Sequence, residues 1–237
     1  HEGNYEKALK YYLISLEIDE VLNEQKGMAS SYNNVGLIYW AQSNFDKAQD
    51  YFQKAVTIYA QMDDKKGLGG AYSNIGGVAY YKGKPDVAIL YFQKSYDFYK
   101  EVNYKTGCAT AFTNISEIFT EQKKYAEAMK YALESIEINE QLGNKSDKTY
   151  GLLAVAKIFT YQKQYQKAIE KLNEVIELSK EINAQKQLSQ AHLMTAQAYY
   201  DLGNYQKAYK SYEQYSYTKD SIFTKERSSF LDTRATC

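Results

Sequence analysis

Few side chains in this 237-residue chain have the type and spacing for bond-making chemistry. Histidine occurs only at His1 and His192, and cysteine only at Cys108 and Cys237. No second histidine or cysteine stands beside either in the sequence pattern, so no metal-ligand set is spelled out. Cys108 follows Gly107 at a predicted helix start, where a helix dipole can lower a thiol pKa. Its column, which holds Met28, Leu68 and Leu188, points instead to a buried structural thiol. His192 shares a column with Tyr32, Tyr72, Phe112 and Leu152, which reads as a core filler. The run Gly67-x-Gly69-Gly70 opens a helix, but no strand precedes it and no Gly-Lys-Ser/Thr follows. It reads as loose helix-start packing rather than a phosphate loop. Glu/Lys pairs on helices read as solvated faces. The expectation is a chain without catalytic residues, metal or cofactor.

Amide chemistry, by contrast, recurs. Asn34, Asn74 and Asn114 stand forty residues apart, in a column that continues as Ala154 and Met194. An asparagine amide both donates and accepts, so it can pair with the N–H and C=O of a peptide backbone together. Asparagine is a mediocre helix former, so local propensity does not explain three of them. Hydrogen bonding between neighbouring helices is the competing explanation.

The elements that carry these columns are legible from a repeat. Ala8, Ala48, Ala88, Ala128, Ala168 and Ala208 recur every forty residues without a gap. Tyr5, Phe45, Pro85, Tyr125, Tyr165 and Tyr205 precede them by three residues, and Tyr12, Phe52, Phe92, Ala132, Leu172 and Tyr212 follow by four. A small-residue column runs Gly36, Gly76, Ser116, Ala156, Ala196. Each unit reads as two helices, A from about Lys26 to Gln42 and B from about Phe45 to Met62 in the first full unit. Turn chemistry marks the breaks at Ser43-Asn44, Asp63-Asp64, Gly83-Lys84, Gly143-Asn144 and Gly203-Asn204. Pro85, the one proline, falls in the first turn of a B helix, where its missing N–H costs nothing. The small columns let helices A and B approach closely, and the pairs must stack to bury their apolar faces.

Composition narrows the partners. Twenty-nine basic residues balance twenty-nine acidic ones, so no general field draws the chain to nucleic acid or anionic membrane. The two arginines, Arg227 and Arg234, both lie in the tail, so the repeats lack the guanidinium fork for phosphate or base recognition. No apolar run approaches the roughly 20 residues a membrane span needs.

The pattern Tyr32-x2-Val35-Gly36-x2-Tyr39, then Ala48-x3-Phe52, resembles the tetratricopeptide signature. The next units repeat it as Tyr72, Ile75, Gly76, Ala88, Phe92 and as Phe112, Ile115, Ser116, Phe119, Ala128. A forty-residue period instead of thirty-four, without a proline closing helix B, departs from that pattern; longer helices with two-residue turns would account for both. The resemblance implies an all-α solenoid of antiparallel helix pairs in a right-handed superhelix. Its divisions are a half repeat (1–26, helix B only), repeats over 27–66, 67–106, 107–146, 147–186 and 187–220, and a tail or linker helix over 221–237. The half repeat should leave Leu9, Leu13 and Leu16 partly uncovered. A start in mid-pattern without methionine reads as a piece of a longer protein, with compartment undecided between cytoplasm and periplasm.

In such proteins helix A builds the concave surface. By register, the resemblance places Asn33, Asn34, Asn74 and Asn114 in a peptide-binding groove with Trp40, Tyr80, Tyr81, Tyr161 and Tyr200. Glu117, Glu121 and Lys157 join them and give the later groove mixed charge. The columns that carry a carboxylate clamp in chaperone adaptors read Ser30, Gly70, Thr110, Tyr150, Gln190 and Asn33, Ser73, Thr113, Leu153, Leu193. They contain no cation, which speaks against such a clamp. The stretch from Tyr217 to Phe223 resembles the segment that ends tetratricopeptide sensor regions of Bacteroidetes-type histidine kinases and transcription regulators. The implied function is binding of a protein or peptide, as the input region of a bacterial signalling protein or, alternatively, as a constitutive scaffold. Nucleic-acid binding by the repeats and membrane insertion are not expected, and the oligomeric state is left open.

Overall fold

The computed structural model describes the backbone of residues 2–235 and the side chains of residues 5–222. Among the described residues there are eleven α-helices and no strand. They are α1 (Glu2–Leu22), α2 (Gln25–Ala41), α3 (Phe45–Gln61), α4 (Lys65–Tyr81), α5 (Pro85–Glu101) and α6 (Lys105–Glu121). There follow α7 (Tyr125–Gln141), α8 (Lys145–Tyr161), α9 (Tyr165–Glu181), α10 (Gln185–Asp201) and α11 (Tyr205–Ala235). Each helix from α2 to α10 is 17 residues long. Three residues, not two, separate them, and this sets the forty-residue period.

The turns share one chemistry. The middle residue takes a positive φ at Ser43, Asp63, Gly83, Asn103, Lys123, Gly143, Lys163, Asn183 and Gly203. Around Ser43, the Ser43 N–H donates to the Trp40 carbonyl (2.7 Å) and the Asn44 N–H to the Tyr39 carbonyl (2.8 Å). This paired closure satisfies carbonyls that a helix end otherwise orphans. At some turns the third residue also caps the next helix: Asn44 Oδ1 accepts from the Lys47 N–H and Asp64 Oδ1 from the Gly67 N–H, whereas Lys84, Lys124, Gln164 and Ala184 make no such bond.

The chain divides into two compact units, residues 1–115 and 116–237, with the boundary inside α6. In the first unit α1 to α5 pack consecutively, and α2 also touches α4. Its core joins Ala48, Phe52, Ala55 and Val56 of α3 to Leu68, Ala71, Ile75 and Val78 of α4. A Cβ added at Gly36 would lie 2.6 Å from the Phe52 ring, and one at Gly76 would lie 2.9 Å from the Phe92 ring. Those two glycines therefore admit the aromatic ring of the paired B helix. Leu9 and Leu13 are half-covered, whereas Leu16 is buried, because α1 packs against α2. The expectation of an uncovered Leu16 is corrected.

In the second unit α7 to α11 pack in the same order, and α8 touches α10. Leu152, Leu153, Ala156, Leu172, Val175 and Ile176 meet Leu188 and Ala191 of α10. At the small-residue position of α6, the Ser116 hydroxyl donates to the Ala128 carbonyl of α7 (2.7 Å).

Candidate peptide-binding surface

The A helices of the first unit present a surface that is polar but uncharged. Beyond their first turns, α2, α4 and residues 105–115 of α6 hold no Asp, Glu, Lys or Arg. Asn33, Asn34, Asn74 and Asn114 are half-exposed there, beside exposed Leu37 and Tyr81. Leu37 was not anticipated, although its position one turn after Asn33 and Asn34 was the available signal.

The asparagines differ in state. Asn74 Nδ2 donates to Asn33 Oδ1 at 2.8 Å, linking α4 to α2. Each amide keeps unspent capacity: the Asn33 N–H₂ can still donate and the Asn74 carbonyl can still accept. Among the described residues, Asn34 and Asn114 make no side-chain hydrogen bond. Asn74 thus serves the stacking of repeats, while Asn34 and Asn114 leave their amides unspent.

The aromatic residues divide likewise. Trp40 is half-buried, and a Cβ on Gly77 of α4 would collide with its indole. Its ring meets Phe52 edge-on at 6.3 Å and Tyr81 at 5.7 Å. Tyr81 stacks on Phe45 at 5.7 Å yet stays exposed, and Tyr80 lies half-buried 5.6 Å from it. Trp40 is thus a stacking residue, and Tyr81, although in contact with three rings, stays exposed.

In the second unit, Lys157 of α8 donates to Glu117 Oε1 (2.8 Å) and Glu121 Oε1 (3.3 Å) of α6. Burial alone would depress the Lys157 ammonium, but the hydrogen bonds and charges of Glu117 and then Glu121 outweigh it and hold its pKa above the ordinary lysine value. The three mixed charges anticipated for a ligand are therefore engaged with one another across neighbouring A helices. Tyr161 and Tyr200 are exposed on α8 and α10. Tyr200 also lines an apolar cleft of about 390 Å³ between α10 and α11, which sequence reasoning missed.

On the first unit's α2–α3 flank, the Lys47 ammonium lies 5.0 Å from the Tyr39 ring and Lys54 lies 4.9 Å from the Tyr51 ring. Cys108 is buried, and burial pushes its thiol pKa up, against the lowering a helix start would give. His192 is half-buried, and burial followed by the Lys180 charge lowers its pKa. Gly67 and Gly69 are tightly, not loosely, packed: a Cβ at Gly67 would collide with Tyr59, and one at Gly69 would lie 2.6 Å from Tyr99. Among the described residues no group of three His, Cys, Asp or Glu is placed to hold a metal. No described helix is long and apolar enough to cross a membrane.

The tetratricopeptide repeat family model matches residues 1–61 and 68–141, and a second model of the same repeat matches residues 190–217. The chain belongs to the tetratricopeptide repeat family. Solved structures agree on the fold. BtubC from P. vanneervenii superposes with a TM-score of 0.78 over 92% of each chain, at 16% identity. Aspartyl phosphate phosphatase F from Bacillus subtilis gives 0.71 at 19% identity, over 87% of this chain and 55% of that one. A Rap protein complexed with competence and sporulation factor gives 0.72 at 17% identity, over 89% of this chain and 63% of its own. No curated protein sequence matches significantly.

Proposed function

We propose that this tetratricopeptide array is a non-catalytic module that holds a protein or peptide segment against the exposed faces of its A helices. The observation that supports this reading most is the uncharged surface of α2, α4 and residues 105–115 of α6 beyond their first turns, with its unspent Asn34 and Asn114 amides. Amides suit backbone recognition, and Leu37 and Tyr81 add apolar contact beside them. The similar Rap protein was solved in complex with competence and sporulation factor, which fits a ligand-holding role for such a fold. In the whole protein the array serves as the input region of a bacterial signalling protein; the segment around Tyr217 to Phe223 motivates this assignment.

The test begins with mass spectrometry of what co-purifies with the full-length protein. Affinity for the identified segment is then measured against salt and against substitution. Asn34→Ala and Asn114→Ala should each weaken binding several-fold, because a hydrogen bond contributes about 0.5–1.5 kcal/mol net. Affinity should vary little between low and high salt, since the surface offers no charge to screen. Steep salt dependence, or affinity untouched by both substitutions, would refute the assignment.

A further inference from the structure

We propose that Gly70 is left bare so that the main chain of the held peptide can lie, in extended form, directly on α4 beside the Asn33–Asn74 amide pair. This contact rests on the peptide-holding role of the A-helix surface, and it fixes where on that surface the peptide backbone comes closest.

Every other described glycine has a reason within the fold. Gly83, Gly143 and Gly203 occupy turns at positive φ, a conformation that favours glycine. Eight more lie inside helices, and an added Cβ at each would come within 2.9 Å of a neighbouring side chain. Gly69, directly before Gly70, is of this kind, with the Tyr99 ring 2.6 Å from its added Cβ. Gly70 differs. It lies inside α4, and outside that helix the one atom within 4 Å of an added Cβ is the Tyr99 hydroxyl oxygen at 3.5 Å, an ordinary contact. Alanine would fit there and would favour the helix. Glycine therefore weakens α4 in the free chain without a packing gain. A local preference broken without compensation inside the fold marks a functional position.

The openness at Gly70 is not that of an array end. On one side α2 packs against α4. On the other the first half of α6 is in place, where an added Cβ on Gly107 would meet the far edge of the same Tyr99 ring at 2.5 Å. Ser30 of α2 and Thr110 of α6 hold the register of Gly70, and both are short, uncharged and exposed. Lys66, one turn before Gly70, is drawn onto the Tyr104 ring at 4.2 Å. Asn74 follows one turn after, on the same side of the helix.

These neighbours name the occupant. A glycine inside a helix lets another backbone approach closely. A main chain passing over Gly70 meets the Asn74 carbonyl, which can still accept from a peptide N–H, and the Asn33 N–H₂, which can still donate to a peptide C=O. A helical segment spends those groups on itself. An extended one keeps them free and sends successive side chains to opposite sides, so the residue over Gly70 can clear α4.

The probe is a peptide selected on the 237-residue chain from a phage-displayed library of random dodecapeptides, then synthesised and titrated by calorimetry. Gly70→Ala should raise Tm yet weaken this peptide about tenfold or more, because the added methyl stands where the peptide backbone lies. Gly70→Leu, checked for folding by circular dichroism, should abolish binding. The gain in Tm separates a blocked contact from a damaged fold. N-methylation of each peptide N–H in turn should find one position that abolishes binding. If Asn34→Ala weakens the peptide while both Gly70 variants bind it as the parent does, the surface holds peptides but Gly70 is not their closest contact, and the proposal falls alone. If none of these substitutions matters, or no peptide is selected, the proposal and the peptide-holding reading fall together. Selected peptides that match a stretch of this chain's own sequence would make the occupant the chain itself and overturn the proposal.

Discussion

Gly70 and Gly77 both lie inside α4, yet replacing them with alanine should move stability in opposite directions. Alanine is favoured over glycine in a helix interior by about 0.8–1.0 kcal/mol. At Gly70 the nearest atom to an added Cβ is the Tyr99 hydroxyl oxygen at 3.5 Å, an ordinary contact. Gly70→Ala should therefore keep the whole gain and raise Tm by about 2–4 °C, the usual shift per kcal/mol at this size. At Gly77 the new methyl collides with the Trp40 indole, whose ring is held by Phe52 and Tyr81. Overpacking costs about 1–3 kcal/mol, so after the propensity gain Gly77→Ala should lose about 0–2 kcal/mol and lower Tm. The two melts are followed by far-ultraviolet circular dichroism under one buffer. Trp40→Phe provides the closing measurement: with a smaller ring opposite, Gly77→Ala should become stabilising, a coupling of about 1 kcal/mol or more. If Gly77→Ala stabilises as much as Gly70→Ala in the presence of Trp40, the indole does not wedge the two repeats together.

Other measurements address the remaining assignments. Asn74→Ala should cost about 0.5–1.5 kcal/mol by breaking its bond to Asn33, while Asn34→Ala should leave the urea midpoint nearly unchanged; equal effects would put both amides in one role. Tyr99 is held between Gly69 and Gly107, and burial, followed by the charge of neighbouring Tyr104, pushes its phenol up to about 12 from 10.0. The folded state prefers the neutral phenol, so this stabilisation is complete below pH 10 and is lost as pH rises through 12. It corresponds to about 2–3 kcal/mol. Comparing unfolding at pH 8 and 11.5, Tyr99→Phe should lose less stability than the parent chain; an identical loss would show that Tyr99 ionises freely. Cys108, buried with a raised thiol pKa, should react with iodoacetamide only after unfolding, read by mass after digestion. Rapid labelling of the native chain would contradict its burial.

The repeat itself was written in the sequence. Six alanines at one spacing, the small column from Gly36 to Ala196, and turn residues such as Ser43-Asn44 and Gly83-Lys84 each express a local steric need, visible one residue at a time. Pro85 could likewise be placed at a helix start because its ring fixes φ wherever it sits. The family followed from the same columns. What the columns could not decide was how each residue divides its time between neighbours and solvent. Asn34 and Asn74 share a register, but Asn74 has Asn33 of the preceding A helix within reach and is bonded to it. Glu117, Glu121 and Lys157 were legible as charges on one face, yet their mutual neutralisation needs two helices placed 2.8–3.3 Å apart at the side-chain tips. Trp40 could have been a ligand ring until Gly77 of the next A helix was seen to accept it. The exposure of Leu193 and Tyr212 was hidden most completely. Those residues look like core in sequence, yet among the described residues they are 41% and 52% exposed. Helix periodicity is a property of nearest neighbours along the chain, whereas occupancy of a face depends on which helix arrives across space, and that is decided by tertiary packing.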